Sequence, residues 1–108
     1  MQKKKAAILG ATGMAGQQFI EALIGHPWFE ISGLFASERS AGKKYIEAAR
    51  WYCPNPIPSD IAAMTVKNTE EVVNDLDQYD IVFSALPADY AKTLEGRCAE
   101  QKPVISTA

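Results

Sequence analysis

The stretch Gly10-Ala11-Thr12-Gly13-Met14-Ala15-Gly16 constrains this chain more than any other. An apolar run, Ala6-Ala7-Ile8-Leu9, leads into it. A helical pattern leaves it, with Phe19, Ile20, Leu23 and Ile24 on one face. That order reads as strand, tight glycine turn, helix. Gly10 lets the chain reverse sharply, Gly13 presents bare backbone that a ligand can approach, and Gly16 lets the helix pack close to its strand. The first helical turn carries unpaired N–H groups and a partial positive charge, which suit a diphosphate. The spacing is G-x-x-G-x-x-G, and the same residues are compatible with a β-to-α turn that binds nothing. Gln17 follows Gly16 where a P-loop needs Gly-Lys-Ser/Thr, which argues against that motif.

The chain has 108 residues, enough for one domain with one core. Apolar residues make up 47% and charged residues 22%, as in an ordinary globular protein. A formal net charge of −2 argues against a nucleic-acid partner, which calls for a basic stripe. No apolar run nears the roughly 20 residues of a membrane span, so no membrane partner is expected. Lys3-Lys4-Lys5 precedes only a short apolar run with no cleavage-site pattern, and reads as a solvated lead-in rather than a signal peptide. Cys53 and Cys98 have no paired spacing and no neighbouring histidine. They indicate neither a disulfide framework nor a metal site, and a cytoplasmic location is expected.

The first strand is expected over 5–10 and the first helix over 13–24, stopped by Gly25-His26-Pro27. His26, the only histidine, reads as a surface residue at a helix end rather than a catalytic base. A second strand covers 30–36, and the polar loop 37–44 follows. In a dinucleotide-binding fold this loop meets the adenosine ribose. Ser37, Arg39 and Ser40 suit the 2′-phosphate of NADP, whereas Glu38, if turned inward, would repel it and bond a plain ribose. A short helix is expected over 45–52, and the proline-rich 53–58 is irregular. A third strand is expected over 63–66. Asn68 then caps a helix with Glu71 three residues on, and Val72, Val73 and Leu76 form its buried side. Its acidic residues read as a wet face. The strand 80–86 is apolar enough to be covered on both faces. A helix over 88–101 places Tyr90, Ala91, Leu94 and Cys98 on one side, and a fifth strand covers 103–108.

Strands alternating with helices imply an α/β fold: a Rossmann-like, doubly wound parallel sheet of order 3-2-1-4-5, truncated after the fifth strand. The order reverses between the first and fourth strands. The glycine turn and the loop Ser84-Ala85-Leu86-Pro87 should therefore converge on one crevice.

Three blocks carry a resemblance: 10–17, 36–44 (Ala-Ser-Glu-Arg-Ser-Ala-Gly-Lys-Lys) and 80–87 (Asp-Ile-Val-Phe-Ser-Ala-Leu-Pro). Together, and in this order, they resemble aspartate-semialdehyde dehydrogenases of the archaeal and fungal type. Ala15 stands where that branch often has valine, a mild change because the backbone N–H does the binding. The resemblance implies an enzyme of amino-acid biosynthesis that reduces L-aspartyl 4-phosphate to L-aspartate 4-semialdehyde with NADPH, through a cysteine nucleophile and a histidine. It implies cofactor contacts from Thr12, Gly13, Met14 and Ala15, in a turn shaped by Gly10 and Gly16, to the diphosphate. Ser37, Arg39 and Ser40 would meet the 2′-phosphate, and Ser84, Ala85 and Leu86 the nicotinamide side. Catalytic residues do not carry over: Cys53, Cys98 and His26 match none of the family's motifs. Residues 1–108 thus read as the NADP-binding domain alone, without the catalytic and dimerisation domain, and are expected to be inactive by themselves. The full-length enzyme is expected to be a homo-oligomer acting on a small molecule. A lone domain is expected to self-associate weakly through its edge strand or uncovered apolar surface. Malonyl-CoA reductase and N-acetyl-glutamyl-phosphate reductase share the domain plan and stay open, as does a non-catalytic nucleotide-sensing module.

Overall fold

Period-two alternation decides where the core lies. Along β1 (Lys4–Leu9), Ala6 and Ile8 join one apolar cluster and Ala7 and Leu9 another, all four fully buried. A strand buried on both faces needs helices on both sides of its sheet. The computed structural model, which describes residues 3–107, has this arrangement. Five parallel strands run in the order β3-β2-β1-β4-β5, with β2 at Phe29–Ala36, β3 at Lys67–Asn68, β4 at Ile81–Ser84 and β5 at Val104–Ser106. Helices α1 (Met14–Leu23), α2 (Tyr45–Ala48) and α3 (Ser59–Ala62) cover one face through Ile20, Leu23, Tyr45 and Ile61. Helices α4 (Val72–Asp75) and α5 (Ala88–Ala99) cover the other through Val72, Ala91, Leu94 and Cys98. Among the described residues no helix is long and apolar enough to cross a membrane.

Several elements differ from expectation, each for a visible reason. The third strand is not 63–66 but Lys67–Asn68, paired to Phe35 and Ala36. Val66 has its backbone engaged elsewhere: its carbonyl accepts from Gly42 N–H at 2.7 Å and its N–H donates to the Lys43 carbonyl at 2.8 Å. Helix α2 stops at Ala48 instead of 52: the Tyr52 N–H, which a longer helix would send to the Ala48 carbonyl, goes to the Gln17 amide oxygen, and the Arg50 carbonyl accepts from the same amide. Helix α3, following Pro58, was not anticipated; four residues leave too little periodicity to read. The helix after Asn68 is broken into a 3-10 turn at Thr69–Glu71, then α4, then a 3-10 turn at Leu76–Gln78. Its capping is as expected: Asn68 Oδ1 accepts from Glu70 N–H at 3.1 Å and Glu71 Oε2 from Asn68 N–H at 3.0 Å. On α5, Ala91, Leu94 and Cys98 are buried, but Tyr90 is 41% exposed, one position off their stripe. Ala108, the end of the expected fifth strand, lies outside the described residues.

Candidate dinucleotide site

β1 is followed by α1 and a crossover to one side of the sheet, and β4 by α5 and a crossover to the other. Their carboxyl ends therefore part, and a crevice opens between the two loops. The loops are stitched to the sheet: Ala11 N–H donates to the Phe35 carbonyl at 3.0 Å, and Ala85 N–H to the Leu9 carbonyl at 2.9 Å.

The three glycines of the turn answer three different demands. Gly10 has φ +72°, and a Cβ there would lie 2.7 Å from the Ala85 carbonyl oxygen. At Gly16 a Cβ would collide with the Gly10 carbonyl and with Ala11 Cα, so α1 sits directly against the turn. Gly13 has no such neighbour: the nearest atom, the Gly10 carbonyl oxygen, is 3.7 Å from a hypothetical Cβ. Internal packing does not call for glycine at 13, and the space over it opens into the crevice.

The crevice measures about 610 Å³, within the range of small-molecule sites. Gly10, Thr12 and Gly13 line it from the glycine turn, Ala36, Ser37 and Glu38 from the end of β2, and Ala85, Leu86 and Pro87 from the end of β4. Asn68, Thr69, Glu70 and Tyr90 complete it. Gly13 is the N-cap of α1 and Pro87 that of α5, neither with a side-chain cap hydrogen bond. Two helix N-termini, with their partial positive charge, thus open on the same space. Among the described residues no acceptor takes the N–H groups of Thr12, Met14 or Ala15. The lining carries two carboxylates, Glu38 and Glu70, and no cation. Burial and the adjacent Glu70 carboxylate push the Tyr90 phenol up from its ordinary value, so it stays neutral.

Of the residues singled out from the sequence, Gly10, Thr12, Gly13, Ser37, Ala85 and Leu86 meet on this crevice, while Met14, Ala15, Gly16, Arg39, Ser40 and Ser84 do not line it. Met14 is 64% exposed beside the turn, and Gly16 is buried beneath it. Ser40 folds back, its N–H donating to the Ser37 carbonyl at 2.9 Å, and Arg39 projects into solvent at the tip of that turn. Ser84 is fully buried one residue below the rim, its Oγ without a partner among the described residues. Asn68, Thr69, Glu70 and Tyr90 were missed as site residues. The usable signal was topological, since the loop after β3 leaves the same carboxyl edge of the sheet.

The cysteines and the histidine lie elsewhere. Cys98 is in the core under α5, and burial, then Glu95, hold its thiol up against the lowering effect of Arg97. Cys53 is half-buried in its loop, with its thiol raised by burial and then by Glu21. Neither is poised as a thiolate. His26 Nδ1 accepts from Trp28 N–H at 3.0 Å, with its ring against Phe29 at 5.1 Å.

A doubly wound parallel sheet with a glycine turn and an uncapped helix start at its switch point defines a Rossmann-type dinucleotide-binding domain. Residues 5–108 match the family described as semialdehyde dehydrogenase, NAD binding domain, and the chain belongs to that family. It is 49% identical over 102 residues to the aspartate-semialdehyde dehydrogenase of Methanothermobacter thermautotrophicus, covering 94% of this chain and 28% of that protein. To the Schizosaccharomyces pombe aspartate-semialdehyde dehydrogenase it is 46% identical over 105 residues, covering 97% of this chain and 29% of the relative. The crystal structure of aspartate semialdehyde dehydrogenase with NADP from Candida albicans superposes with a TM-score of 0.90 at 44% identity, over 99% of this chain and 30% of that one. The chain thus spans under a third of the length of these relatives.

Proposed function

We propose that this chain is the NADP-binding domain of an aspartate-semialdehyde dehydrogenase. The observation that carries the reading is Gly13: glycine without a packing reason, at an uncapped helix start, facing Ala85, Leu86 and Pro87 across the crevice. The free N–H groups of Thr12, Met14 and Ala15 hold the diphosphate. Ser37, Ser40 and Arg39 take the 2′-phosphate, with the guanidinium reaching in from its solvent-exposed turn. Glu38, on the lining, opposes that phosphate, so Arg39 has to outweigh it. Ala85 and Leu86 form the wall toward the nicotinamide, with Ser84 directly beneath. The bound cofactor supplies hydride for reduction of an acyl phosphate to the semialdehyde. The cysteine, histidine and substrate-binding groups for that reaction belong to a separate catalytic domain of a longer, cytoplasmic, homo-oligomeric enzyme. The 94% against 28% coverage of a relative supports this division.

Calorimetric titration with NADP⁺ and NAD⁺ tests the cofactor assignment. NADP⁺ is expected to bind more tightly, and Arg39→Ala to weaken NADP⁺ by about tenfold, the scale of one charge-assisted hydrogen bond, while leaving NAD⁺ unchanged. Equal affinities, indifferent to Arg39, would replace the assignment with an NAD site organised by Glu38.

A further inference from the structure

The glycine turn is held from behind by two buried polar side chains that do not themselves line the crevice. Tyr45 is fully buried, and its hydroxyl donates to the Ala11 carbonyl at 2.7 Å across 34 residues of sequence. Burial pushes its phenol well above its usual value, so the hydroxyl remains a donor. Gln17, also fully buried, uses both ends of its amide. Its Nε2 donates to the Thr12 carbonyl at 3.1 Å and to the Arg50 carbonyl at 2.8 Å. Its Oε1 accepts from Tyr52 N–H at 2.8 Å.

In a trans peptide the carbonyl and the following N–H point in opposite directions. With the Ala11 carbonyl turned inward to Tyr45, the Thr12 N–H is turned outward, toward the crevice that Gly10, Thr12 and Gly13 line. Gln17 holds the carbonyl of the next peptide, whose Gly13 N–H donates back to the Gly10 carbonyl at 3.2 Å, so this second contact braces the turn itself. Residues 37–44 run straight into Tyr45, so the ribose-side loop and the glycine turn are anchored on one buried block.

We propose that Tyr45 and Gln17 are positioning residues for the dinucleotide: Tyr45 turns the Ala11 carbonyl inward and thereby aims the Thr12 N–H at the diphosphate, and Gln17 locks the following peptide so that the turn keeps that orientation. The inference rests on the cofactor-binding reading above. It concerns groups that never touch the ligand, and its effect is preorganisation: the donors are already oriented before binding.

The test is titration of the chain, Tyr45→Phe and Gln17→Met with two ligands, NADP⁺ and adenosine 2′-monophosphate, which carries the ribose phosphate but no diphosphate. Circular dichroism establishes that each variant is folded. Tyr45→Phe removes one oxygen and keeps the ring against Trp51. It is expected to weaken NADP⁺ by about tenfold and to leave the monophosphate within about twofold. Gln17→Met is expected to show the same split; should it fail to fold, Tyr45→Phe decides alone. Unchanged NADP⁺ affinity in folded Tyr45→Phe would overturn the inference while the proposed function stands. Parallel weakening of both ligands would overturn it too, because a merely structural role has that signature. Failure of the unaltered chain to bind either ligand would overturn the proposed function and this inference with it.

Discussion

Gly16→Ala is expected to lower stability by more than about 3 kcal/mol, beyond the usual cost of an overpacked methyl, because the atoms it meets are backbone. The added Cβ would fall on the Gly10 carbonyl and on Ala11 Cα, which belong to the turn that the helix caps. No rotamer relieves such a clash. Either α1 lifts off the sheet, exposing Ile20 and Leu23, or the turn moves and Gly10 is driven into the Ala85 carbonyl. For a domain of this size the loss amounts to a fall in melting midpoint of more than about 10 °C. Thermal unfolding followed by circular dichroism measures it. A variant melting within about 2 °C of the parent would show that α1 is not packed on the turn in the manner described.

Gly13→Ala, three residues earlier, is expected to do the reverse. The backbone there has φ −80° and ψ 172°, comfortable for alanine, and its Cβ finds ordinary contact at 3.7 Å. Stability should change by less than about 1 kcal/mol, with a small gain from a less flexible unfolded chain. Dinucleotide affinity should fall by at least about tenfold, because the methyl occupies the space through which the diphosphate approaches the turn. Calorimetry alongside thermal melting separates the two quantities. Retained affinity in Gly13→Ala would move the ligand away from the turn.

The contrast between these glycines shows what was readable beforehand. Their spacing predicted a tight turn, and the apolar runs on either side predicted β1, α1 and β4, because each element carries its own periodicity. Convergence of the turn with Ala85 and Leu86 followed from strand order alone. Other features depend on partners distant in sequence. Gln17 reads as an ordinary helix residue until its amide is seen bonded to Thr12, Arg50 and Tyr52. Those bonds are also why 49–52 is irregular rather than helical. Val66 has the composition of a strand residue, yet its hydrogen bonds go to Gly42 and Lys43, which shifts β3 by a few residues. Tyr90 is spaced almost like a core residue but faces the crevice beside Glu70, a distinction of one position on the helix surface. Gly33 had no assigned role; the Tyr79 ring lies where its Cβ would be.

The central claim is that the crevice at the strand-order reversal holds the dinucleotide. Amide resonances of the chain, followed while NADP⁺ is added, test it most directly. The account predicts the largest shifts at Thr12, Gly13, Ser37, Ala85 and Leu86, which line the crevice from three separate loops. Shifts concentrated instead around Ile24, Gly25 and Ile31, at the opposite end of α1, or no shifts at millimolar cofactor, would contradict it.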